Sequence, residues 1–206
     1  MLTMPILKQM LLAAATELKA NSIYLSELDS VAGDGDHGIT IGRMADAMKV
    51  HLGATKAGGI KTLLDELGML FMGSNGGSAG PLWGTIFAGM ADGLTADTQD
   101  VDAQEFKQMF AQAKRDFMDI SKAQVGDKTM VDALYPAIDA AQETEGTLPV
   151  VMQAMAAAAN AGAEKTATLV AKFGRAKNIG ERSLGTKDPG AVSLALLFSA
   201  MATAAK

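Results

Sequence analysis

Apolar residues recur along this chain at the three- and four-residue spacing of a helix face. Leu7, Leu11 and Leu18 trace one such face near the N-terminus, and Phe106 and Phe110 begin another in the second half. Alanine, the strongest helix former, is frequent, and no segment alternates apolar and polar residues with the period of two expected of a half-buried strand. The pattern therefore predicts an all-α fold.

Short polar breaks divide this pattern into eight or nine helices without a credible strand. No linker or solenoid repeat separates them, so we expect a single domain over residues 1–206. The predicted helices cover approximately residues 5–19, 24–28, 39–51, 60–72, 81–90, 106–117, 129–142, 148–173 and 191 to the C-terminus.

The composition excludes several classes of protein. Apolar residues make up 49% and charged residues 20%, which is a globular balance. The formal net charge of −5 argues against nucleic-acid or anionic-membrane partners, and the absence of cysteine removes disulfides, thiolate metal sites and a cysteine nucleophile. No segment is apolar and long enough to span a bilayer, and the first residues lack a signal-peptide pattern, so a cytoplasmic protein is expected.

The 22 glycines are concentrated in four loops between the helices. These loops cover residues 29–38, 73–80, 121–128 and 174–190. Glycine lets a backbone approach a ligand closely, and loops commonly carry function. We therefore expect the chemistry of this chain to lie in the loops rather than on the helices.

The first loop holds three aspartates, Asp29, Asp34 and Asp36, within eight residues. Carboxylates clustered without a basic neighbour repel one another, and one would take up a proton unless a divalent cation lay among them. Oxygen ligands without cysteine favour Mg²⁺, Mn²⁺ or Ca²⁺ over zinc. Each aspartate alone could be a turn former or helix cap, but the three together favour a metal site.

Three familiar templates do not fit. An EF-hand beginning at Asp34 would need oxygen ligands where the chain has Gly38 and Ala45. Residues 33–38 match the glycine spacing of a dinucleotide loop, but no strand precedes them and their aspartates would face the pyrophosphate. The Lys-Thr pair at 61–62 lacks the glycine of a P-loop, so any nucleotide here would be held through metal-bridged carboxylates.

Four motifs follow one another along the chain, and together they carry a resemblance that covers essentially its whole length. In this order they resemble the nucleotide-binding L subunit of dihydroxyacetone kinase, and four motifs in sequence are far more specific than any one. The motifs are Leu-Asp-Ser-Val-Ala-Gly-Asp-Gly-Asp-His-Gly at 28–38, Gly-Gly-Ser-Ala-Gly-Pro-Leu-Trp-Gly at 76–84, Gly-Asp-Lys-Thr-Met at 126–130 and Gly-Glu-Arg-Ser-Leu-Gly-Thr-Lys-Asp-Pro-Gly at 180–190.

The resemblance implies an eight-helix antiparallel barrel that binds ADP or ATP at one end. It implies that Asp29, Asp34 and Asp36 hold two Mg²⁺ ions, and that residues 121–130 form a lid over the adenine. The nucleotide contacts that it implies are His37, Gly38, Ile39, Thr40, Ser78, Ala79, Ser121, Met130, Arg175, Asp188, Pro189 and Gly190.

The resemblance also implies partners. Dihydroxyacetone would be held on a separate K subunit, and ADP would be rephosphorylated in place by a phosphohistidine-carrying M subunit that draws on phosphoenolpyruvate. No residue of this chain is assigned as catalytic, because the protein's part in phosphoryl transfer is positioning and charge neutralisation. Three alternatives stay open: a subunit that exchanges ATP and serves another small ketose, a nucleotide-dependent regulator of a transcription factor, and a purely structural helical module.

Overall fold

Helices make up most of the molecule, and the predicted all-α class is confirmed. In this computed structural model the described residues, 1–96 and 98–205, form nine α-helices, two 3-10 segments and two very short strands. The α-helices are α1 (Met4–Ala20), α2 (Ser22–Ser30), α3 (His37–Ala54), α4 (Ile60–Met72), α5 (Ala79–Asp92), α6 (Ala103–Ile120), α7 (Val131–Glu143), α8 (Leu148–Lys165) and α9 (Pro189–Ala204).

Side-chain caps fix the start of several helices. The Thr3 hydroxyl accepts a hydrogen bond at the start of α1, and Asp102 and Glu105 form a reciprocal capping box at the start of α6. Asp188 caps α9 through a 2.7 Å hydrogen bond from the backbone N–H of the third residue after it, and Pro189 occupies the first turn. The last glycine-rich loop is thereby connected directly to a helix N-terminus.

The predicted end of α8 is wrong because a contact distant in sequence determines it. The helix predicted to reach residue 173 ends at Lys165 and continues as the 3-10 segment Thr166–Thr168. There the Thr166 carbonyl accepts a 2.8 Å hydrogen bond from Lys128 Nζ instead of continuing the α-helical ladder. The final helix begins at Pro189, so the end of the predicted loop forms its first turn.

The prediction of no strand is wrong for four residues. Strand β1 (Leu2–Thr3) pairs antiparallel with β2 (Asp100–Val101), in a register that places Leu2 opposite Val101. Both of these side chains are fully buried. A two-residue strand is too short to show the period of two along the sequence, whereas its burial at the edge of the core is enough to hold it. Part of the turn predicted at 95–100, residue 97, lies outside the described residues.

The α-helices other than α2 form a closed ring of neighbours. In this ring α1 packs on α3, α3 on α4, and so on through α9, which packs back on α1, while α2 packs against α3 and α9. This is the eight-helix barrel that the resemblance implies. Because neighbouring helices run in opposite directions, the loops that follow α2, α4, α6 and α8 emerge at the same end.

One continuous apolar core includes side chains from every α-helix. Phe71 lies edge-on to Trp83 and Phe87, with ring centroids 6.4 and 5.0 Å away, as expected of aromatic packing. Glycines allow close approach of helices elsewhere: a Cβ on Gly89 would lie 2.6 Å from Ala113 Cα. Among the described helices, none combines the length and the apolar character needed to cross a membrane.

The packing of α5 on α6 gives a stability prediction. Gly89→Ala should lower the free energy of unfolding by about 1–3 kcal/mol, because the added methyl group meets the backbone of α6. Gly53→Ala is the matched control on α3, where a Cβ meets nothing within 4 Å, and it should be neutral or stabilising by about 0.5–1 kcal/mol. Urea unfolding followed by circular dichroism measures both, and equal effects of the two substitutions would contradict the packing account.

Candidate functional site

All four glycine-rich loops contribute to one cavity of about 460 Å³. Asp29 lines it from the first loop, Gly76 from the second, Ser121 from the third and Arg175 from the fourth. The loops are far apart in sequence but follow alternate helices of the barrel. The expectation that the unusual chemistry lies in these loops therefore corresponds to a single place in the structure.

The three aspartates of the first loop form a compact group of oxygen ligands. One carboxylate oxygen from each of Asp29, Asp34 and Asp36 lies within 4.8 Å of the others. Asp29 belongs to the last turn of α2 and Asp36 precedes α3, so the short loop between these helices brings them together. Gly35 turns the chain with a φ of +74°, and a Cβ on Gly33 would lie 2.4 Å from Asp29 Oδ1.

The electrostatics of this group show an excess of negative charge. The pKa of Asp36 is raised, first by burial and then by the charges of Asp34 and Asp29, while the charge of Arg175 opposes the rise. Arg175 also forms an ion pair with Asp34. The prediction that the cluster lacks a basic neighbour is therefore wrong, because the fourth loop supplies a guanidinium from the opposite half of the sequence.

The residues present fit a hard divalent cation. Their donors are carboxylate oxygens, and the backbone at Gly33 leaves room that a side chain would fill. The buried Thr40 Oγ1 has no hydrogen-bond partner among the described residues and lies close behind Gly76. An unpartnered buried hydroxyl next to a glycine-rich loop is a feature that a bound ligand or ordered water would complete.

His37 begins α3 and links the acidic loop to α9. Its Nε2 atom lies 3.2 Å from Ser193 Oγ, and the Ser193 hydroxyl donates to the Gly190 carbonyl at 2.9 Å. Burial lowers the pKa of His37, opposed by the charge of Asp29 and by a hydrogen bond to the backbone of Pro189. Sequence reasoning missed Ser193, which no motif position indicated.

Most of the predicted site residues lie in the cavity wall. The predicted metal ligands that line it are Asp29 and Asp36, and the predicted nucleotide contacts that line it are His37, Ser78, Ala79, Ser121, Met130, Arg175, Asp188, Pro189 and Gly190. Asp34 joins the acidic group at its exposed edge.

Three predicted contacts have side-chain positions outside the cavity wall. A Cβ on Gly38 would lie 1.8 Å from the Ser22 carbonyl oxygen, so this glycine serves the packing of α3 on α2. Ile39 is 58% exposed, and Thr40 is buried behind Gly76. Any contact that these residues make with a ligand is left to their backbone at the α3 N-terminus, and it stays a prediction.

The wall of the cavity carries two chemically different sets of residues. One set is carboxylates with glycine-rich backbone, and the other is apolar side chains, those of Leu82, Trp83, Phe117, Met130 and Val131. Trp83 and Phe117 are fully buried in the core and also border the cavity. A cavity whose wall carries both sets can take a molecule with a metal-bound polyphosphate and a flat apolar group.

By its fold and site the chain is a helical barrel with an acidic, glycine-lined cavity at one end. The DAK2 domain family matches residues 31–203. The chain therefore belongs to the DAK2 domain family, and its resemblance to nucleotide-binding subunits of dihydroxyacetone kinase is confirmed. At the level of the family, the prediction of a phosphotransferase subunit is confirmed as well.

Individual relatives agree with this membership. Over 188 residues the chain is 36% identical to the ADP-binding subunit DhaL of the PEP-dependent dihydroxyacetone kinase of Escherichia coli. This match covers 90% of this chain and 89% of the relative. Over 194 residues it is 38% identical to the L-erythrulose kinase of Pectobacterium atrosepticum, of which it spans 33%. The structure of the dihydroxyacetone kinase of C. freundii in complex with AMP-PNP and Mg²⁺ matches with a TM-score of 0.71 and 28% identity, over 95% of this chain and 33% of that one.

Asp188 gives a pH prediction. Burial raises the pKa of Asp188 to about 7 from an ordinary value of 3.8. The folded protein therefore holds a proton between these values that the unfolded chain has lost, and the contribution of Asp188 to stability declines as the pH rises through this window. Three pKa units correspond to at most about 4 kcal/mol.

The test compares the free energy of unfolding of the wild type with that of Asp188→Asn between pH 4 and pH 8. Asparagine keeps a helix cap but does not titrate. The wild type should lose stability relative to the variant as the pH rises, whereas parallel curves would show that Asp188 does not titrate in this range. His37, whose pKa is lowered, makes stability rise with pH instead. This contribution is the same in both proteins, so it cancels when one stability curve is subtracted from the other.

Proposed function

We propose that this chain is the ADP- or ATP-binding subunit of a dihydroxyacetone kinase. The observation that carries the proposal is a cavity lined by Asp29, Asp36, glycine-rich backbone and apolar side chains, with the Asp34 carboxylate grouped with the other two at its edge. The names of the E. coli relative, an ADP-binding subunit, and of the C. freundii complex, which contains AMP-PNP and Mg²⁺, support it. On this proposal the whole of residues 1–206 serves as one nucleotide-binding domain.

Asp29, Asp34 and Asp36 would hold the metal, and we propose that they hold two Mg²⁺ ions. Three carboxylates with two oxygens each supply enough ligands for two ions that keep part of their water shell and bind phosphate oxygens. Bound there, Mg²⁺ would supply charge neutralisation to the polyphosphate during phosphoryl transfer. Arg175, which pairs with Asp34, would then be available to a phosphate.

The remaining wall divides between the phosphates and the base. His37, Ser78 and Ala79, which line the cavity, would face the phosphates together with the backbone of residues 38–40 at the start of α3. Ser121 and Met130, which also line it, would face the adenine. Asp188, Pro189 and Gly190 lie at the start of α9, line the cavity and would complete the nucleotide site.

The phosphoryl acceptor would be dihydroxyacetone on a separate K subunit. Relatives in E. coli, Listeria innocua and Lactococcus lactis are named as PEP- or PTS-dependent, which supports rephosphorylation of bound ADP by a phosphohistidine-carrying M subunit. The identity to L-erythrulose kinases supports a second candidate, a subunit that serves another small ketose with exchangeable ATP. A transcription-factor partner and a cytoplasmic location stay predictions without support of this kind.

The metal role of the aspartates is tested by Asp36→Asn, which removes one charge and keeps the shape. Because the phosphates would bind through the metal, ADP affinity in the presence of Mg²⁺ should fall by at least about a hundredfold. This loss is larger than that expected when only a group hydrogen-bonded to a metal ligand is removed. The single tryptophan, Trp83, borders the cavity and provides a fluorescence signal for binding. Manganese counted by electron paramagnetic resonance should fall below two ions for each chain.

Glu143→Gln, an exposed charge removal at the far end of α7, is the control and should bind ADP like the wild type. Normal ADP affinity in Asp36→Asn would contradict the proposed function. The donor is tested on the wild type loaded with ADP, together with a K subunit and dihydroxyacetone. Turnover that needs phosphoenolpyruvate and the M subunit supports the first candidate, whereas turnover on added ATP with L-erythrulose supports the second.

A further inference from the structure

Lys128 is a buried lysine in the wall of the cavity that the proposed function does not use. Its side chain is 5% exposed, and its backbone has a φ of +58°, in the left-handed region. Its Nζ donates to the carbonyls of Thr166 at 2.8 Å, Ser183 at 2.6 Å and Thr186. A lysine ammonium has three hydrogens, so these three bonds leave it none to offer to a ligand.

The loop around Lys128 is held in place by carboxylates. Asp132 Oδ1 accepts from the backbone N–H of Gly126 at 2.6 Å, and its Oδ2 accepts from that of Thr129 at 2.8 Å. Burial lowers the pKa of Lys128, and the charges of Asp188 and Asp132 oppose this lowering. The left-handed backbone at Lys128 is therefore fixed between two bonded neighbours, and its buried charge has counter-charges.

The three carbonyls that Lys128 binds lie on a stretch of chain that carries other parts of the site. Thr166 follows α8, Ser183 ends the 3-10 segment Arg175–Ser183, and Thr186 lies in the turn before α9. This stretch also carries Arg175 and leads into Gly190, where a Cβ would lie 3.1 Å from Met130 Cβ. Lys128 thus ties the loop with Ser121 and Met130 to the loop before α9.

We propose that Lys128 is a positioning residue that sets the width of the base-binding part of the cavity. Without its ammonium, the three carbonyls would lose their common donor, and the loops at 121–130 and 166–188 would separate. The acidic group lies at the α2–α3 loop, which Lys128 does not contact, and Arg175 is held to that group separately by its ion pair with Asp34. This inference rests on the proposed function, because it assigns the apolar part of the cavity to the base of a nucleotide.

The test compares Lys128→Met with Lys107→Met. Lys107 is a matched control because it is also buried, at 4% exposure, but belongs to α6 and pairs with Glu145 instead of lining the cavity. Affinities for ADP and for inorganic pyrophosphate, both with Mg²⁺, are measured by Trp83 fluorescence at a temperature where circular dichroism shows each variant folded. Pyrophosphate has no base and reports on the phosphate part alone.

Lys128→Met should raise the Kd for ADP at least about tenfold and leave that for pyrophosphate within about twofold, while Lys107→Met changes neither. An unchanged ADP Kd, equal weakening of both ligands, or the same effect in Lys107→Met would overturn the inference, since each indicates a general structural role. If Lys128→Met does not fold, Lys128→Arg takes its place, because a planar guanidinium cannot reproduce three hydrogen bonds that come from one atom. Lys128→Arg should raise the Kd for ADP severalfold and leave the Kd for pyrophosphate unchanged. An unchanged Kd for ADP in this variant would overturn the inference. A wild type that binds neither ligand would overturn the proposed function itself, whereas normal wild-type binding separates the two claims.

Discussion

The repulsion among three carboxylates is the constraint on which the rest of the site depends. Asp29, Asp34 and Asp36 place oxygens within 4.8 Å of one another, and the pKa of Asp36 is raised first by its burial and then by the charges of Asp34 and Asp29. Glycine at 33 allows the approach, and Arg175 compensates part of the charge. On the proposed function, divalent cations that also bind phosphate would supply the further positive charge that this arrangement favours.

The helical barrel matters to function because it gathers four distant loops at one end. Helix α9 is central to this arrangement, since its first turns meet His37 through Ser193 on one side and Met130 through Gly190 on the other. The loops on the two sides of the cavity therefore meet at one helix.

The sequence predicted the features that local patterns determine. The helix predicted over 60–72 has those bounds in the structure, because its apolar stripe and flanking glycines are local signals. The acidic loop was also found, since three aspartates and their glycines are adjacent. Contacts between segments far apart in sequence were not predictable. These are the ion pair of Arg175 with Asp34 and the hydrogen bonds from Lys128 to three carbonyls, one of which lies where α8 ends early.

The central claim is that cations relieve the repulsion among the aspartates, and the titration of the Asp36 carboxyl measures this most directly. Carbon-13 NMR of the aspartate carboxyls, with Asp36→Asn for assignment, gives the pKa without metal and then with Mg²⁺ and ADP. The account predicts a raised pKa in the metal-free protein that falls below the ordinary value of 3.8 on loading. A titration of Asp36 that Mg²⁺ and ADP leave unchanged would contradict it.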